Sequence, residues 1–184
     1  HGHGKQFDDC LEEGNSGHFL LYEGEFNQNA QHGQGKTFNE DGSLVYEGEF
    51  SRGKGWIYGK LFREDGSLAY EGEFTKYKYH GYGKEFFTNG TVMYEGEFKN
   101  HLRHGQGKEF LSFGPLYYEG EFKEDNYHGQ GKTFYSDGSI QYEGEWKEGR
   151  HHGHGKLFRL DGSIEHEGEF KKWLLVNPIT EYET

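Results

Sequence analysis

Apolar and polar residues alternate over short stretches of this chain. At residues 44–50 the sequence Leu-Val-Tyr-Glu-Gly-Glu-Phe places Leu, Tyr, Gly and Phe at alternate positions, with a glutamate on each side of the glycine. A period of two residues is typical of a β-strand with one buried face. An aliphatic residue stands two positions before the aromatic slot in every copy, as Leu20, Leu44, Leu68, Val92, Leu116, Ile140 and Ile164.

The alternating stretches recur every 24 residues. Tyr-Glu-Gly-Glu-Phe begins at residues 22, 46, 70, 94 and 118, with variants at Tyr142 (ending in Trp) and His166. A second block, His-Gly-x-Gly-Lys-x-Phe, starts at residues 1, 32, 80, 104, 128 and 152, and residues 56–62 hold a degenerate copy. We infer an array of about seven units over residues 1–170, with the first unit expanded at residues 8–21, followed by a tail at 171–184.

The segments between the predicted strands carry turn residues. Asp-Gly-Ser recurs at residues 41, 65, 137 and 161, and tolerates positive φ in tight turns. On the other side of each unit we expect a five-residue polar connection, such as Asn27 to Gln31. The order strand, loop, strand, turn predicts an all-β fold: an elongated single-layer antiparallel sheet of successive β-hairpins with no helical domain. We expect Gly24, Gly48 and Gly72 to make room for neighbouring aromatic rings.

Composition supports a thin sheet and limits the classes of partner. Glycine accounts for 31 residues, aromatic residues for 18% and all hydrophobic residues for only 31%. The net charge of -12 argues against nucleic acid and disfavours an anionic membrane, although lipid binding stays possible. The single cysteine, Cys10, excludes an intrachain disulfide and suggests the cytoplasm.

Together the two blocks resemble the MORN repeat (membrane occupation and recognition nexus), whose pattern is Tyr-x-Gly-x-Trp/Phe followed by His-Gly-x-Gly. The resemblance implies a gently twisted sheet of hairpins that acts as a scaffold or adaptor in cytoskeletal, ciliary or membrane-junction assemblies. We therefore expect a non-catalytic module that binds a partner protein within a larger cytoplasmic complex such as an axoneme. The alternatives are a phospholipid-tethering module and the regulatory domain of a larger enzyme, such as a phosphoinositide kinase.

The Tyr and Phe or Trp residues at alternate positions of the predicted strands form an aromatic stripe across the sheet, and this stripe is the predicted binding groove. Apolar side chains of the partner would insert between the rings, while the glutamates attract basic residues. The alternative is that these rings are entirely structural. The predicted groove residues are Tyr46, Phe50, Tyr70, Phe74, Tyr94, Phe98, Tyr118, Phe122, Tyr142 and Trp146.

Irregular units are the places where specificity is expected. Trp56, Ile57 and Tyr58 replace His-Gly-x, and Phe113 stands in a turn where other units have Asp-Gly-Ser. These residues are predicted partner contacts, with drift in a tolerant loop as the alternative. Trp173 in the tail is a further candidate contact, unless the tail covers the last sheet edge.

Catalytic and metal chemistry find little support. Gly33-Gln34-Gly35-Lys36-Thr37 looks like the end of a phosphate loop, but Ala30 stands where that motif needs glycine and no helix follows. The repeated histidines would lie about 10 Å apart, too far to share a metal; we expect each to close a loop by hydrogen bonding. We predict no enzyme activity, cofactor or metal.

Overall fold

The structure of the protein is a computed structural model, which describes residues 2–9, 18–52 and 55–170. Every regular element in these ranges is a β-strand. The strands are β1 (Gly2–Asp9), β2 (His18–Asn27), β3 (Ala30–Phe38), β4 (Leu44–Ser51), β5 (Gly55–Phe62), β6 (Leu68–Thr75), β7 (Lys78–Phe86), β8 (Val92–Lys99), β9 (Leu102–Phe110), β10 (Leu116–Lys123), β11 (Asn126–Phe134), β12 (Ile140–Lys147), β13 (Arg150–Phe158) and β14 (Ile164–Phe170).

Strand order in the sheet follows chain order from β1 to β14. The paired strands are antiparallel, so the prediction of an all-β fold built from successive hairpins is confirmed. Within the described ranges, residues up to 93 together with 98–101 form one compact unit, and residues 94–97 together with those from 102 onward form a second. Cys10, the greater part of the expansion at 8–21, and the whole tail at 171–184 lie outside the described residues.

A column of facing glycines crosses the sheet within each of the two compact units, which are called the first and second unit from here on. In the first unit Gly24 pairs with Gly35, which in turn pairs with Gly48. A Cβ atom added at Gly35 would lie 2.5 Å from the ring of Tyr22, and one at Gly24 would lie 2.5 Å from the Cα of Gly35. The prediction that glycine makes room for aromatic rings is confirmed, and it extends to the glycine on the partner strand.

The two kinds of connection differ from each other in geometry. The connection from β2 to β3 is a two-residue turn, Gln28–Asn29, with φ values of 50° and 60°, rather than the predicted five-residue loop. Two residues with positive φ suit a tight hairpin because their twist matches that of the flanking strands. The Asp-Gly-Ser turns are as predicted: Gly42 has φ 84°, and Asp41 accepts a hydrogen bond from the Ser43 N–H at 2.8 Å.

Candidate functional site

The predicted groove residues form the interior on one side of the sheet in each unit, a side that we call the aromatic face. All five tyrosines of the set are 0% exposed, and the five Phe and Trp side chains are at most 6% exposed. The rings meet edge to face, as between Tyr46 and Phe50 at 5.2 Å and between Tyr118 and Trp146 at 5.4 Å. Partner side chains cannot insert between rings that water does not reach, so this burial favours the structural alternative for these residues.

Each buried tyrosine is also fixed through its hydroxyl group. Tyr46 Oη donates to the backbone oxygen of Glu49 at 3.0 Å or of Tyr58 at 2.9 Å. Burial is the main cause that raises the pKa of the Tyr46, Tyr70, Tyr118 and Tyr142 phenols, that of Tyr142 to about 12. A neutral, hydrogen-bonded and buried phenol makes each ring a stable part of the interior.

A second layer of side chains covers the buried tyrosines. Trp56 stacks on Tyr46 with centroids 4.4 Å apart, and Tyr79 stacks on Tyr70 at 3.8 Å. The corresponding cover residues in the second unit are Arg103 at 4.9 Å over Tyr94, Tyr127 at 3.8 Å on Tyr118 and His151 at 3.6 Å on Tyr142. The cover residue varies between repeats whereas the ring beneath it does not, so the cover layer gives each repeat its own outer surface.

This layer was not predicted from the sequence, and its member Trp56 was predicted only as a partner contact. The cover residue stands directly before His-Gly in most repeats, outside the blocks that define the pattern. Tyr79 and Tyr127, aromatic residues 48 positions apart in an otherwise polar segment, were the available signal.

The irregular copy at residues 56–62 is a local change of register. Other repeats have a left-handed glycine at the position of Ile57, such as Gly33 with φ 63° and Gly81 with φ 59°. A β-branched residue strongly disfavours that conformation, and the left-handed residue is Gly55 instead, with φ 76°. As a result Trp56 becomes the cover residue.

The remaining predicted contacts are scattered. Ile57 is partly buried, Tyr58 is exposed on the opposite side of the sheet from Trp56, and Phe113 is 69% exposed in the turn before β10. Trp173 lies outside the described residues. The structure therefore does not bring the predicted irregular residues together into one site.

A cavity of about 370 Å³ opens beside the hairpin turns of the first unit. Its walls come from Gln31, Phe50 and Gly55, and from the turn residues Lys76 and Tyr77. Tyr77 is 58% exposed; its ring packs on Gly55 and meets Trp56 edge to face at 5.2 Å. The cavity thus combines amide groups, one lysine and an exposed aromatic ring.

A polar cluster occupies the cover layer of the second unit. Arg103 forms an ion pair with Glu109 at 2.8 Å, and the side chains are only 16% and 23% exposed. The hydroxyl of Tyr127 donates to the other oxygen of the Glu109 carboxylate. Burial, followed by the negative charge of Glu109, raises the pKa of the Tyr127 phenol. The cluster ties two cover residues to one carboxylate and stiffens this part of the aromatic face.

One cover residue, His151, is buried without hydrogen-bond partners for its ring nitrogens within the described ranges. His151 is 4% exposed, and neither of its ring nitrogens has a hydrogen-bond partner in the described part of the chain. Burial lowers its pKa to about 4. The buried hydroxyl of Thr133 is also without a partner among the described residues.

The opposite side of the sheet, the charged face, carries two rows of side chains that run across the strands. The first, the paired row, alternates lysine and glutamate, with ion pairs such as Lys36–Glu47 at 3.2 Å and Lys132–Glu143 at 2.9 Å. The first glutamate of each pair therefore faces lysine on the neighbouring strands. Its members in the first unit are Lys5, Glu23, Lys36, Glu47, Lys60, Glu71 and Lys84.

The second row, the acidic row, contains the other glutamate of each pair. Glu121 accepts a hydrogen bond from the backbone N–H of Gln130 at 2.9 Å, and its carboxylate lies against left-handed Gly129. The same arrangement recurs at Glu25, Glu73, Glu97 and Glu145. These glutamates close the loop after each His, so the expectation that the histidine closes it is wrong. A carboxylate does so because the exposed bulge there presents an unpaired backbone donor.

In the described ranges, no group of three or more His, Cys, Asp or Glu side chains could hold a metal ion. No described helix is long and apolar enough to cross a membrane.

Comparison with known proteins adds one finding. A family model described as the MORN repeat matches residues 22–43, 46–67, 70–92, 94–110, 118–140 and 142–164. No curated protein matches the chain.

Proposed function

The chain belongs to the MORN-repeat family, whose repeats are generally protein- or membrane-interaction modules, and we propose that it is a non-catalytic scaffold for a partner protein. The partner segment lies against the aromatic face. The observation that carries this proposal is the cavity of about 370 Å³ beside Tyr77, whose ring is 58% exposed. An exposed aromatic ring beside a concave surface offers large contact area at low entropic cost, as protein interfaces favour.

The cover layer supports a protein as the partner. Tyr77, whose ring also meets that of Trp56, gives an apolar contact at the wall of the cavity, and Gln31 and Lys76 offer hydrogen bonds there. A mixed surface of aromatic rings and amides suits an extended or helical peptide. In this proposal the buried tyrosines hold the cover residues in place and do not themselves contact the partner.

Tyr77→Asn tests the proposal in the native extract by cross-linking mass spectrometry. Asn29 occupies the same turn position with φ 60°, close to the 63° of Tyr77, so the hairpin should form normally. We expect one recurring protein cross-linked to Lys76 or Lys78 of the unmodified chain, with this capture lost in Tyr77→Asn. Asp125→Asn, at the same turn position in the second unit, is the matched control and should retain capture.

Two outcomes would contradict the scaffold proposal. Equal capture by Tyr77→Asn and by the unmodified chain would remove the cavity as the contact surface. Cross-links confined to the chain itself, together with recovery in the membrane pellet, would indicate a lipid tether instead.

The setting proposed for this scaffold is a cytoplasmic assembly associated with the cytoskeleton or a cilium. Support comes from the repeat array, since a row of similar units presents one contact surface per hairpin to a long partner. Fractionation of the native source into detergent-soluble and cytoskeletal material tests it. Recovery of the protein only in the soluble fraction would argue against a cytoskeletal setting.

A further inference from the structure

Two exposed tyrosines stand in the acidic row of the first unit. Tyr58 and Tyr82 are each 51% exposed. The corresponding residues in other repeats are polar, namely Gln34, Gln106, Gln130 and His154. Since these repeats form the same hairpin with a polar side chain, folding does not require an aromatic ring at this position.

The two tyrosines alternate with glutamates. Glu49 pairs with Tyr58, Tyr58 pairs with Glu73, and the carboxylate of Glu73 accepts a hydrogen bond from the Tyr82 N–H at 3.1 Å. Along the row the order is therefore Glu49, Tyr58, Glu73, Tyr82. Each ring lies beside at least one carboxylate on an exposed surface.

The negative charge of this row is not balanced within the described part of the chain. Glu49 and Glu73 form no ion pair there, whereas their neighbours Glu47 and Glu71 in the paired row face lysines at 3.2 and 3.9 Å. An exposed tyrosine ring beside an uncompensated carboxylate attracts a guanidinium or ammonium group through both the ring face and the charge.

We propose that the Tyr58–Tyr82 row is a docking site for an arginine- or lysine-bearing extended segment of a partner protein. The two rings lie on strands separated by one strand, about 10 Å apart. A polyproline-II segment advances about 9.3 Å per turn of three residues, so basic residues at every third position reach both rings from the same side. The site is on the charged face, away from the cavity beside Tyr77, and does not depend on the function proposed for that cavity.

The test is a fluorescence-anisotropy titration with a labelled peptide of four Arg-Pro-Ser repeats, compared with the same peptide in which glutamine replaces arginine. The double variant Tyr58→Gln/Tyr82→Gln introduces the residue that three other repeats carry at this position. We expect it to weaken binding of the arginine peptide about 5- to 30-fold, as the loss of two exposed cation–π contacts implies. Tyr58→Phe/Tyr82→Phe keeps both ring faces and should retain most of the affinity.

The control is Gln106→Ala/Gln130→Ala, which alters the acidic row of the second unit and should leave binding unchanged. Thermal melting of each variant checks that the sheet is intact. The proposal is overturned if the Tyr→Gln variant binds as tightly as the unmodified chain. It is also overturned if the glutamine peptide binds equally well, if the phenylalanine variant loses as much affinity as the glutamine variant, or if the control loses as much.

Discussion

At the scale of the residue, the cover position over each buried tyrosine shows how one substitution changes the balance of packing and hydrogen bonding. Tyr127 stacks on Tyr118 and donates its hydroxyl to Glu109, which stands 18 residues earlier. His151 stacks on Tyr142 in the same way, and the residue 18 positions before it is Thr133. Both His151 nitrogens and the Thr133 hydroxyl lack partners among the described residues. This repeat therefore loses the free energy of burying polar groups without hydrogen bonds, a loss that the repeat with Tyr127 avoids.

His151→Tyr is expected to stabilise the protein by about 1–2 kcal/mol, because its hydroxyl would reach towards the Thr133 oxygen and its ring would keep the stack. Urea unfolding at pH 7 measures the change. A destabilised variant would show that the pocket over Tyr142 is too small for a phenol and would contradict this prediction.

The same residue makes stability depend on pH. The pKa of His151 falls from the usual 6.5 to about 4 on folding, so the unfolded chain binds the extra proton between these values. Stability from the neutral ring is therefore fully present above pH 6.5 and is lost as the pH falls from 6.5 towards 4, by up to roughly 3 kcal/mol. The difference in unfolding free energy between His151→Tyr and the unmodified chain should widen over this window. A difference that stays constant over this window would contradict the prediction.

At the scale of the element, the two glutamates of each repeat have different roles although they stand two residues apart on the same strand. Glu119 faces Lys108 at 3.1 Å, with both side chains about half exposed. Glu121 accepts the Gln130 N–H and closes the bulge around Gly129. The first contact is an exposed ion pair and the second is a charge-assisted hydrogen bond to a backbone donor.

Glu121→Ala should therefore destabilise the protein by about 1–2 kcal/mol, because the Gln130 N–H loses its acceptor and the bulge opens. Glu119→Ala should cost no more than about 0.5 kcal/mol, since exposed ion pairs contribute little. Chemical denaturation of both variants in one buffer makes the comparison. Equal losses would show that the bulge does not depend on its carboxylate.

Strand positions and their buried faces could be predicted from the sequence. The two-residue period of apolar positions is that of a strand with one buried face, and the 24-residue interval between blocks is that of a repeated hairpin. The turn at Gln28–Asn29 could not, since neither residue is glycine and the positive φ values arise from the hairpin's own twist. The candidate site was also only partly predictable. Tyr46 and Phe50 carry the aromatic signal but lie in the interior, whereas Tyr77 occurs in a turn where the repeat pattern sets no preference.

At the scale of the whole molecule, each strand in the described part of the chain is hydrogen-bonded only to its neighbours along the chain. Proteins built in this way gain stability from individual repeats and from nearest-neighbour interfaces, so a local fault need not spread. Glycine columns are the sensitive points, because a buried ring lies over them.

Gly131→Ala places such a fault in the second unit. The added Cβ would lie 2.3 Å from Tyr118 Oη, and the ring is 0% exposed, so it has to shift, at a cost of about 1–3 kcal/mol. Hydrogen exchange should show protection lost first in β10, β11 and β12, while β3 to β6 keep theirs. Gly138→Ala is the control, because nothing lies within 4 Å of the added Cβ atom. Its only expected effect is the backbone strain of an alanine at φ 86°, which should lower the free energy of unfolding by about 1 kcal/mol. If protection fell equally in all strands of the Gly131→Ala protein, the array would unfold as one cooperative body. Its stability could then not be described as a sum over individual repeats.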